Sequence, residues 1–362
     1  MSNFTKIVGL VSLVFFLTLF FILLPDRHKN QLSNQEVFSS QDVSIGREVF
    51  PDWQGFEDIG EPLVVEQLQE NRFDKLPIAV VLDNLKESLP ISGVDRASVV
   101  YEAPVEADIT RFLAVFDQDF LPDEIGPVRS ARPYLVDWAG EYGAIFVHAG
   151  GSSEALQKIS QHFYSIIYDL DEISGDGGYF WRDEQRQGPH NLYISRQSIV
   201  SLINKKNLVN AISPDFEDWG FESLPTLSLS SGEKKEEESG VIVKIDYRQP
   251  VVWQFDKDNQ VYLRFQDGQP FFDQSGRQIG VENLVIQKTE INILDEVGRR
   301  FIKTIGQGEA LIFQNGFLKQ GRWEKLEQNS RTKFYDLESE EIKFLPGTIW
   351  IEIVSKNHRV LY

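Results

Sequence analysis

The sequence contains no cysteine, a single methionine and only five histidines. Without cysteine there is no disulfide, no thiol nucleophile, no thiolate metal site and no lipid-modified cysteine. The compartment stays open, because exported proteins need not carry disulfides. Positive charge is also scarce: 36 Lys and Arg face 55 Asp and Glu, a formal net charge of −19. Such a field repels phosphate backbones, so no nucleic acid is expected as a partner. Metal and nucleophile signatures are missing too. There is no H-E-x-x-H, and the spacing of His148, His162 and His190 matches no zinc motif. Asp256-Lys257-Asp258-Asn259 opens like a calcium loop, but Val261 stands where glycine is needed, so a hairpin turn is the better reading. Gly150-Gly151-Ser152-Ser153-Glu154 is not a G-x-S-x-G elbow.

What is present suffices for two domains. The chain has 362 residues, 41% hydrophobic and 25% charged, an ordinary globular composition. Ile7–Leu24 is an apolar run of 18 residues broken only by Gly9, Ser12 and Thr18, just long enough to span a bilayer as one helix. Leu24-Pro25-Asp26-Arg27-His28 offers no small residues for signal-peptide cleavage, so a retained single-pass anchor over 1–29 is expected. Lys6 and Arg27 flank the run on opposite sides and leave its orientation poorly determined. With a short tail before a long acidic body, the globular part is expected outside the cytoplasm. Residues 30–70 read as a polar tether with one short helix near Val64–Gln69.

Residues 71–215 alternate strands with helices, which predicts an α/β domain: a mixed sheet with flanking helices. Its strands are expected at Ile78–Leu82, Ser98–Glu102, Ile109–Phe116, Ala144–His148 and Ser165–Tyr168, and helices near Glu154–His162 and Arg196–Lys205. Residues 216–240, with the run Glu233-Lys234-Lys235-Glu236-Glu237-Glu238, form an acidic linker. From 241 to 362 short β-rich runs separated by turns predict an all-β domain, sandwich or barrel-like. Trp253, Trp323 and Trp350 are expected in its core.

Gly126-Pro127-Val128-Arg129-Ser130-Ala131-Arg132-Pro133-Tyr134 reads as a turn entering a helix, with Ser130 as N-cap and Pro133 in the first turn. Arg129 and Arg132 are misplaced there. Cations oppose the positive end of a helix dipole, at a cost of ~0.3–1 kcal/mol. Two readings are open: an anion sits between them, or they pair with Asp123, Glu124, Glu102 or Glu106. Arginine dominates the cations of this region (Arg111, Arg129, Arg132, Arg182, Arg186), and arginine suits bidentate contact with phosphate or carboxylate. Acids at strand ends and turns (Asp83, Asp95, Glu102, Glu106) accompany them, with Asn84 beside Asp83. Carboxylates there, Asp83 and Asp95 first, would take a divalent ion between protein and phosphate.

His148 ends a strand before Gly150-Gly151-Ser152, a turn whose N–H groups can cradle an anion. Ser152 is equally suited to capping the next helix. The loop around Tyr179-Phe180-Trp181-Arg182-Asp183 and Gly188-Pro189-His190-Asn191 mixes aromatic, cationic and histidine side chains, a make-up suited to covering a ligand. Asp83, His148 and His190 are the candidate acid–base residues.

Through Ala79–Asn84, Tyr101–Glu106, Thr110–Phe116, Gly126–Pro133, Val147–Ser152, Pro189–Tyr193, Asn315-Gly316 and Pro346–Ile351 the chain resembles the YerB-like family of bacterial envelope lipoproteins, which has no assigned activity. Two departures stand out. The lipid-bearing cysteine is missing, and Ala107-Asp108 stands where two glycines are expected. The order of strand-end Asp, second Asp, Arg turn and Gly-Gly turn is also similar to the LytR–CpsA–Psr phosphotransferases. That likeness implies magnesium as cofactor and a polyprenyl pyrophosphate or cell-wall glycopolymer as substrate, with Asp83, Asp95, Arg129 and Arg132 in the site and Arg182 or Arg186 as further phosphate contacts. Three functions are therefore carried forward. The first is a membrane-anchored envelope protein binding an anionic small molecule or envelope polymer. The second is a Mg-dependent phosphotransferase or hydrolase, and the third a structural or interaction protein whose arginines only brace the fold.

Overall fold

The computed structural model describes residues 73–161, 168–208, 219–222 and 242–362. The expected anchor, the tether with its short helix and most of the acidic linker lie outside the described residues. Among those described, no helix is long and apolar enough to cross a membrane.

Among the described residues strands dominate, and the α-helices are few and short. The first half runs β1 (Ile78–Asp83), β2 (Val99–Pro104), β3 (Thr110–Phe116), β4 (Glu124–Ile125), α1 (Pro133–Gly140) and β5 (Ile145–His148). It continues through α2 (Ser153–Ser160), β6 (Tyr168–Asp171), β7 (Phe180–Arg182), β8 (Leu192–Ser195) and α3 (Arg196–Lys205). The second half is all β. It comprises β9 (Ile242–Ile245), β10 (Val251–Asp256), β11 (Val261–Gln266), β12 (Gln269–Pro270), β13 (Gly280–Val281) and β14 (Asn283–Thr289). Then come β15 (Ile291–Ile293), β16 (Arg300–Ile302), β17 (Gly306–Gln314), β18 (Phe317–Lys325), β19 (Lys333–Asp336), β20 (Ile349–Ser355) and β21 (Val360–Leu361).

The two halves of the sequence share one sheet. Its ten strands run β19-β18-β17-β14-β20-β2-β3-β1-β5-β6. The junction is parallel, with Val99 opposite Ile349 and Glu102 opposite Glu352. The anticipated sandwich is present in altered form. The second sheet, β12-β11-β10-β9-β21, packs against the shared sheet rather than closing a separate domain. The cause is burial: β2 and β20 are buried on both faces and do not lie at a sheet edge.

Alternation along β1 and β3 explains the layers. Val80, Leu82, Phe112 and Ala114 enter one core with α3 (Ile199, Leu202) and the second sheet (Trp253, Tyr262). Ala79, Val81, Leu113 and Val115 enter the other with α1 (Leu135, Trp138). Both faces are covered, so each strand reads as a continuous apolar run. Trp253, Trp323 and Trp350 are fully buried, and β10 and β11 form the hairpin that the 256–259 turn foretells. One start signal was misplaced. Helix α1 begins at Pro133 with Arg132, not Ser130, at the N-cap, and the Arg132 side chain makes no capping bond.

Candidate functional site

The arginine turn is laced along the carboxyl end of β1. Asp83 N–H donates to Pro127 O at 3.0 Å, Arg129 N–H to Val81 O at 2.9 Å and Val128 N–H to Leu192 O at 2.7 Å. Glycine is needed at 126, since a methyl there would lie 2.5 Å from Tyr193 Cδ1 and 2.7 Å from Leu192 O. On the far side, Ala131 N–H donates to Gly150 O at 2.9 Å and Ser152 N–H to Ala131 O at 3.2 Å. The turn is thereby clamped between β1, β8 and the Gly150 turn.

Three guanidinium groups meet there. Arg111 on β3 stands opposite Asp83 in the β1–β3 register, and its Nη1 donates to Ser130 O at 3.0 Å. Arg129 places Nε 3.1 Å from Asp83 Oδ2 and donates through Nη1 to Pro189 O at 3.3 Å. Arg132 grips Glu106 with two bonds, Nε to Oε1 at 2.6 Å and Nη2 to Oε2 at 2.8 Å. The Nε groups of Arg111 and Arg129 are buried donors with no hydrogen-bond partner, the Arg129–Asp83 contact being an ion pair only. Buried donors of this kind are rare and ask for an explanation. His190 reaches the same carboxylate, its Nδ1 2.7 Å from Asp83 Oδ2 and 3.0 Å from Ser88 Oγ.

The electrostatics follow from this crowding. Burial alone would raise the Asp83 pKa, but Arg129, aided by Ser88, His190 and Arg111, more than reverses that and holds it below its ordinary value. Burial works against Glu106 in the same way, and its bonds to Arg132 hold it below the usual carboxylate range. Burial, together with Arg132 and Arg129, lowers Arg111 to about 10. Three guanidiniums against the two carboxylates leave one positive charge in excess, within a chain whose overall charge is strongly negative.

Other candidates lie elsewhere or are already engaged. Fully buried Glu102 binds Arg264 Nη2 through both oxygens at 3.0 Å. Asn84 Nδ2 donates to Glu102, Thr110 and Gln266. These two therefore join a knot between the halves that also contains Glu352, bound by Trp253 Nε1 at 2.9 Å and Tyr247 OH at 3.2 Å. The Gly150 turn is no open anion cradle. Gly150 N–H donates to Asp171 Oδ1 at 2.6 Å, Gly151 bridges to Ala131, and Ser152 Oγ caps α2 by accepting from Ala155 N–H. His148 is buried with Nδ1 on Gly150 O at 2.8 Å and Nε2 on Asp169 Oδ1 at 2.6 Å, so both nitrogens brace this turn. Arg182 bonds Asn191 Oδ1 and Glu172 Oε1, and Asn191 Nδ2 bonds Asp183 O. Those contacts fold the aromatic loop onto itself. Arg186 bonds the carbonyls of Ser88 and Pro90.

The expected pair of metal carboxylates is split between different surroundings. Asp83 faces Arg129 and His190, whereas Asp95 binds Arg277 and Ser275. Among the described residues no group of three or more His, Cys, Asp or Glu is arranged to hold a metal ion. Asp95 instead lines an open cleft of about 450 Å³ with Arg96, Asp273 and Arg277, and none of arginines 111, 129 and 132 belongs to its walls. Burial, with Asp95 nearby, raises the Asp273 pKa to about 6.

Ser88, Arg264 and Glu352 were missed from the sequence. Ser88 gives no local signal. Arg264 and Glu352 do: each is a lone charge within an apolar strand, and a charge there demands a buried partner.

Residues 64–209 match the family described as "Protein of unknown function (DUF3048) N-terminal domain", and residues 241–351 match its "C-terminal domain". Over 299 residues the chain is 32% identical to "Putative lipoprotein YerB" of Bacillus subtilis (strain 168), covering 81% of this chain and 85% of that protein. The crystal structure of YerB from Bacillus subtilis superposes with a TM-score of 0.66 at 30% identity, covering 77% of this chain and 91% of that one. None of these matches carries the likeness to LytR–CpsA–Psr enzymes. With both family domains matched over most of its length, the chain belongs to the YerB-like DUF3048 family.

Proposed function

We propose that this chain is an extracytoplasmic envelope protein, held at the membrane by Ile7–Leu24, that binds an anionic ligand at Arg111, Arg129 and Arg132. The observation that carries this reading is the unbonded, buried Nε of Arg111 beside two further guanidiniums, one cation in excess of the local acids. An anion supplies both the missing acceptor and the missing charge. The relative's description as a lipoprotein supports an envelope location, with the apolar N-terminal run replacing a lipid-bearing cysteine. The test is calorimetric titration of the purified full-length chain with inorganic phosphate and pyrophosphate. Binding is expected, weakened at least tenfold in Arg111→Gln and Arg129→Gln. Absence of binding by the parent chain would sink the proposal.

A second reading, Mg-dependent phosphotransfer or hydrolysis of a polyprenyl pyrophosphate or glycopolymer, draws on one contact. Asp83 holds Nδ1 of His190, the arrangement that orients an imidazole for acid–base work. Magnesium-dependent turnover of a polyprenyl pyrophosphate, abolished in His190→Gln, supports it. Binding without turnover eliminates it.

A further inference from the structure

The second half of the chain sends a hairpin, β15–β16, over the rim of the arginine site. Its paired residues are Ile291 with Ile302, Asn292 with Phe301 and Ile293 with Arg300. Ile302 is buried and Ile291 packs on the core beside α1, which fixes the base of the hairpin. The outer part is different. Ile293, Leu294, Val297 and Phe301 are 63%, 59%, 73% and 44% exposed, four large apolar side chains within nine residues. Single exposed hydrophobics are ordinary, but a cluster on one projecting element marks a surface that meets something apolar.

Its position says what kind of molecule that is. Arg300 Nε donates to Val105 O, and its guanidinium pairs with Asp108. A methyl group on Gly298 would lie 3.6 Å from Ala107 N. The hairpin thus rests on the 105–109 loop, whose Glu106 clamps Arg132. Arg299 also reaches Glu154, in the first turn of α2 and two residues beyond the Ser152 that bonds the arginine turn. The hairpin is thereby anchored to the loop whose Glu106 holds Arg132 and to the start of α2, and it carries exposed hydrocarbon on an element tied to the cationic site. Its two arginines are already paired, Arg299 with Asp295 and Glu154 and Arg300 with Asp108, so neither adds a free cation to the apolar surface.

We infer that the ligand of the arginine site is an anionic amphiphile, its phosphate-like head on Arg111, Arg129 and Arg132 and its hydrocarbon against Leu294, Val297 and Phe301. This rests on the anion-binding reading above and adds the apolar half of the ligand. The test compares methyl phosphate with hexyl phosphate, titrated into the full chain held in phosphatidylcholine nanodiscs, with empty nanodiscs subtracted. Hexyl phosphate should bind at least tenfold more tightly. In a Leu294→Ser, Val297→Ser double variant with unchanged thermal unfolding, the ratio of the two affinities should fall toward one. Methyl phosphate binding with no gain from the chain overturns the amphiphile and leaves the anion reading intact. A gain that survives the double variant places the hydrocarbon elsewhere and also overturns it. Failure of both ligands to bind removes both readings. A dimer that dissociates on hairpin substitution, without a chain-length effect, assigns the patch to a second copy instead.

Discussion

Two clusters of arginine and carboxylate lie close together in this molecule and behave in opposite ways. At the Arg264 knot, one guanidinium binds Glu102, interacts electrostatically with Glu352 and is enclosed by the rings of Phe112, Trp253, Phe271 and Trp350. At the turn site, three guanidiniums share two acids; both clusters leave buried guanidinium nitrogens unbonded, Nε of Arg111 and Arg129 here and Nε and Nη1 of Arg264 in the knot. The knot is fully buried and joins residues from both halves of the chain. The turn site is under-compensated and flanked by exposed hydrocarbon. Residue types alone do not distinguish the two clusters, and neither do unbonded donors; the balance of charge and the exposure of the groups do.

The sharpest break of the comparison is Arg264→Met. It strands Glu102 without a counter-charge in the core, and breaking one side of a buried pair costs about 3–5 kcal/mol. Because β2 and β20 are neighbours across the junction, both halves should unfold in a single transition at lower denaturant. Two separate transitions, or a loss below ~1 kcal/mol, would show that the knot is not what holds the halves together. At the turn site the corresponding change, Arg129→Gln, leaves Asp83 its contacts to His190 and to the backbone N–H groups of Asn84 and Leu85. It should therefore cost stability far less than it costs anion binding.

Glu352 sharpens the contrast from within the knot. Burial, then the neighbouring Glu102, pushes its pKa well above the ordinary value, which favours the neutral acid in the folded state. The unfolded chain releases that proton above about pH 4.5 while the folded chain holds it to higher pH, so between the two pKa values parent stability falls as pH rises, by up to about 1.4 kcal/mol per pH unit. Glu352→Gln imitates the neutral acid and removes the slope. The variant should match the parent near pH 4 and exceed it by about 1–3 kcal/mol at pH 8. Denaturant midpoints at the two pH values decide this, and parallel curves would mean that Glu352 is ionised in the fold.

A smaller effect belongs to the Arg132–Glu106 fork. A double-mutant cycle with Arg132→Ala and Glu106→Ala should give a coupling of about 1 kcal/mol, since the pair is bidentate yet partly exposed. If Glu106 competes with the ligand for Arg132, Glu106→Ala should also tighten phosphate binding several-fold. Unchanged affinity would make the fork purely structural.

Much of this was legible in the sequence, and the rest was hidden for a physical reason. Strands β1, β3 and β5 and helix α3 announce themselves as apolar runs or 3.6-residue patterns, because local burial writes a local signal. The arginine turn was visible through its contradiction of the helix dipole. What did not show was pairing at a distance: nothing local tells Val99 to lie beside Ile349, or brings His190 to Asp83 across 107 positions. Glu102 and Asn84 read like site residues because a strand-end acid looks the same whether its partner is a ligand or Arg264. His148 and the Gly150 turn carried the marks of a cradle, and their hydrogen bonds proved to be spent on fixing the arginine turn.

The smallest effect concerns the loop on which the apolar hairpin rests. Ala107 and Asp108 adopt φ of 57° and 58°, the left-handed region that glycine occupies freely and other residues only under strain. This accounts in backbone terms for the glycine pair expected at these positions. Ala107→Gly should relieve strain and stabilise the protein by up to about 1 kcal/mol, the glycine's greater freedom in the unfolded chain offsetting part of the gain. At 108 the balance differs, because Asp108 also pairs with Arg300 of the hairpin. Asp108→Gly gains the same relief but loses that contact, so the two glycine variants should diverge. The variant at 107 should raise the melting temperature and leave the hairpin docked. The variant at 108 should change stability little and loosen the hairpin, read as faster amide exchange over 291–302. Equal exchange in both would mean that the core packing of Ile291 and Ile302, rather than the Arg300 contact, holds the apolar strands against the cationic site.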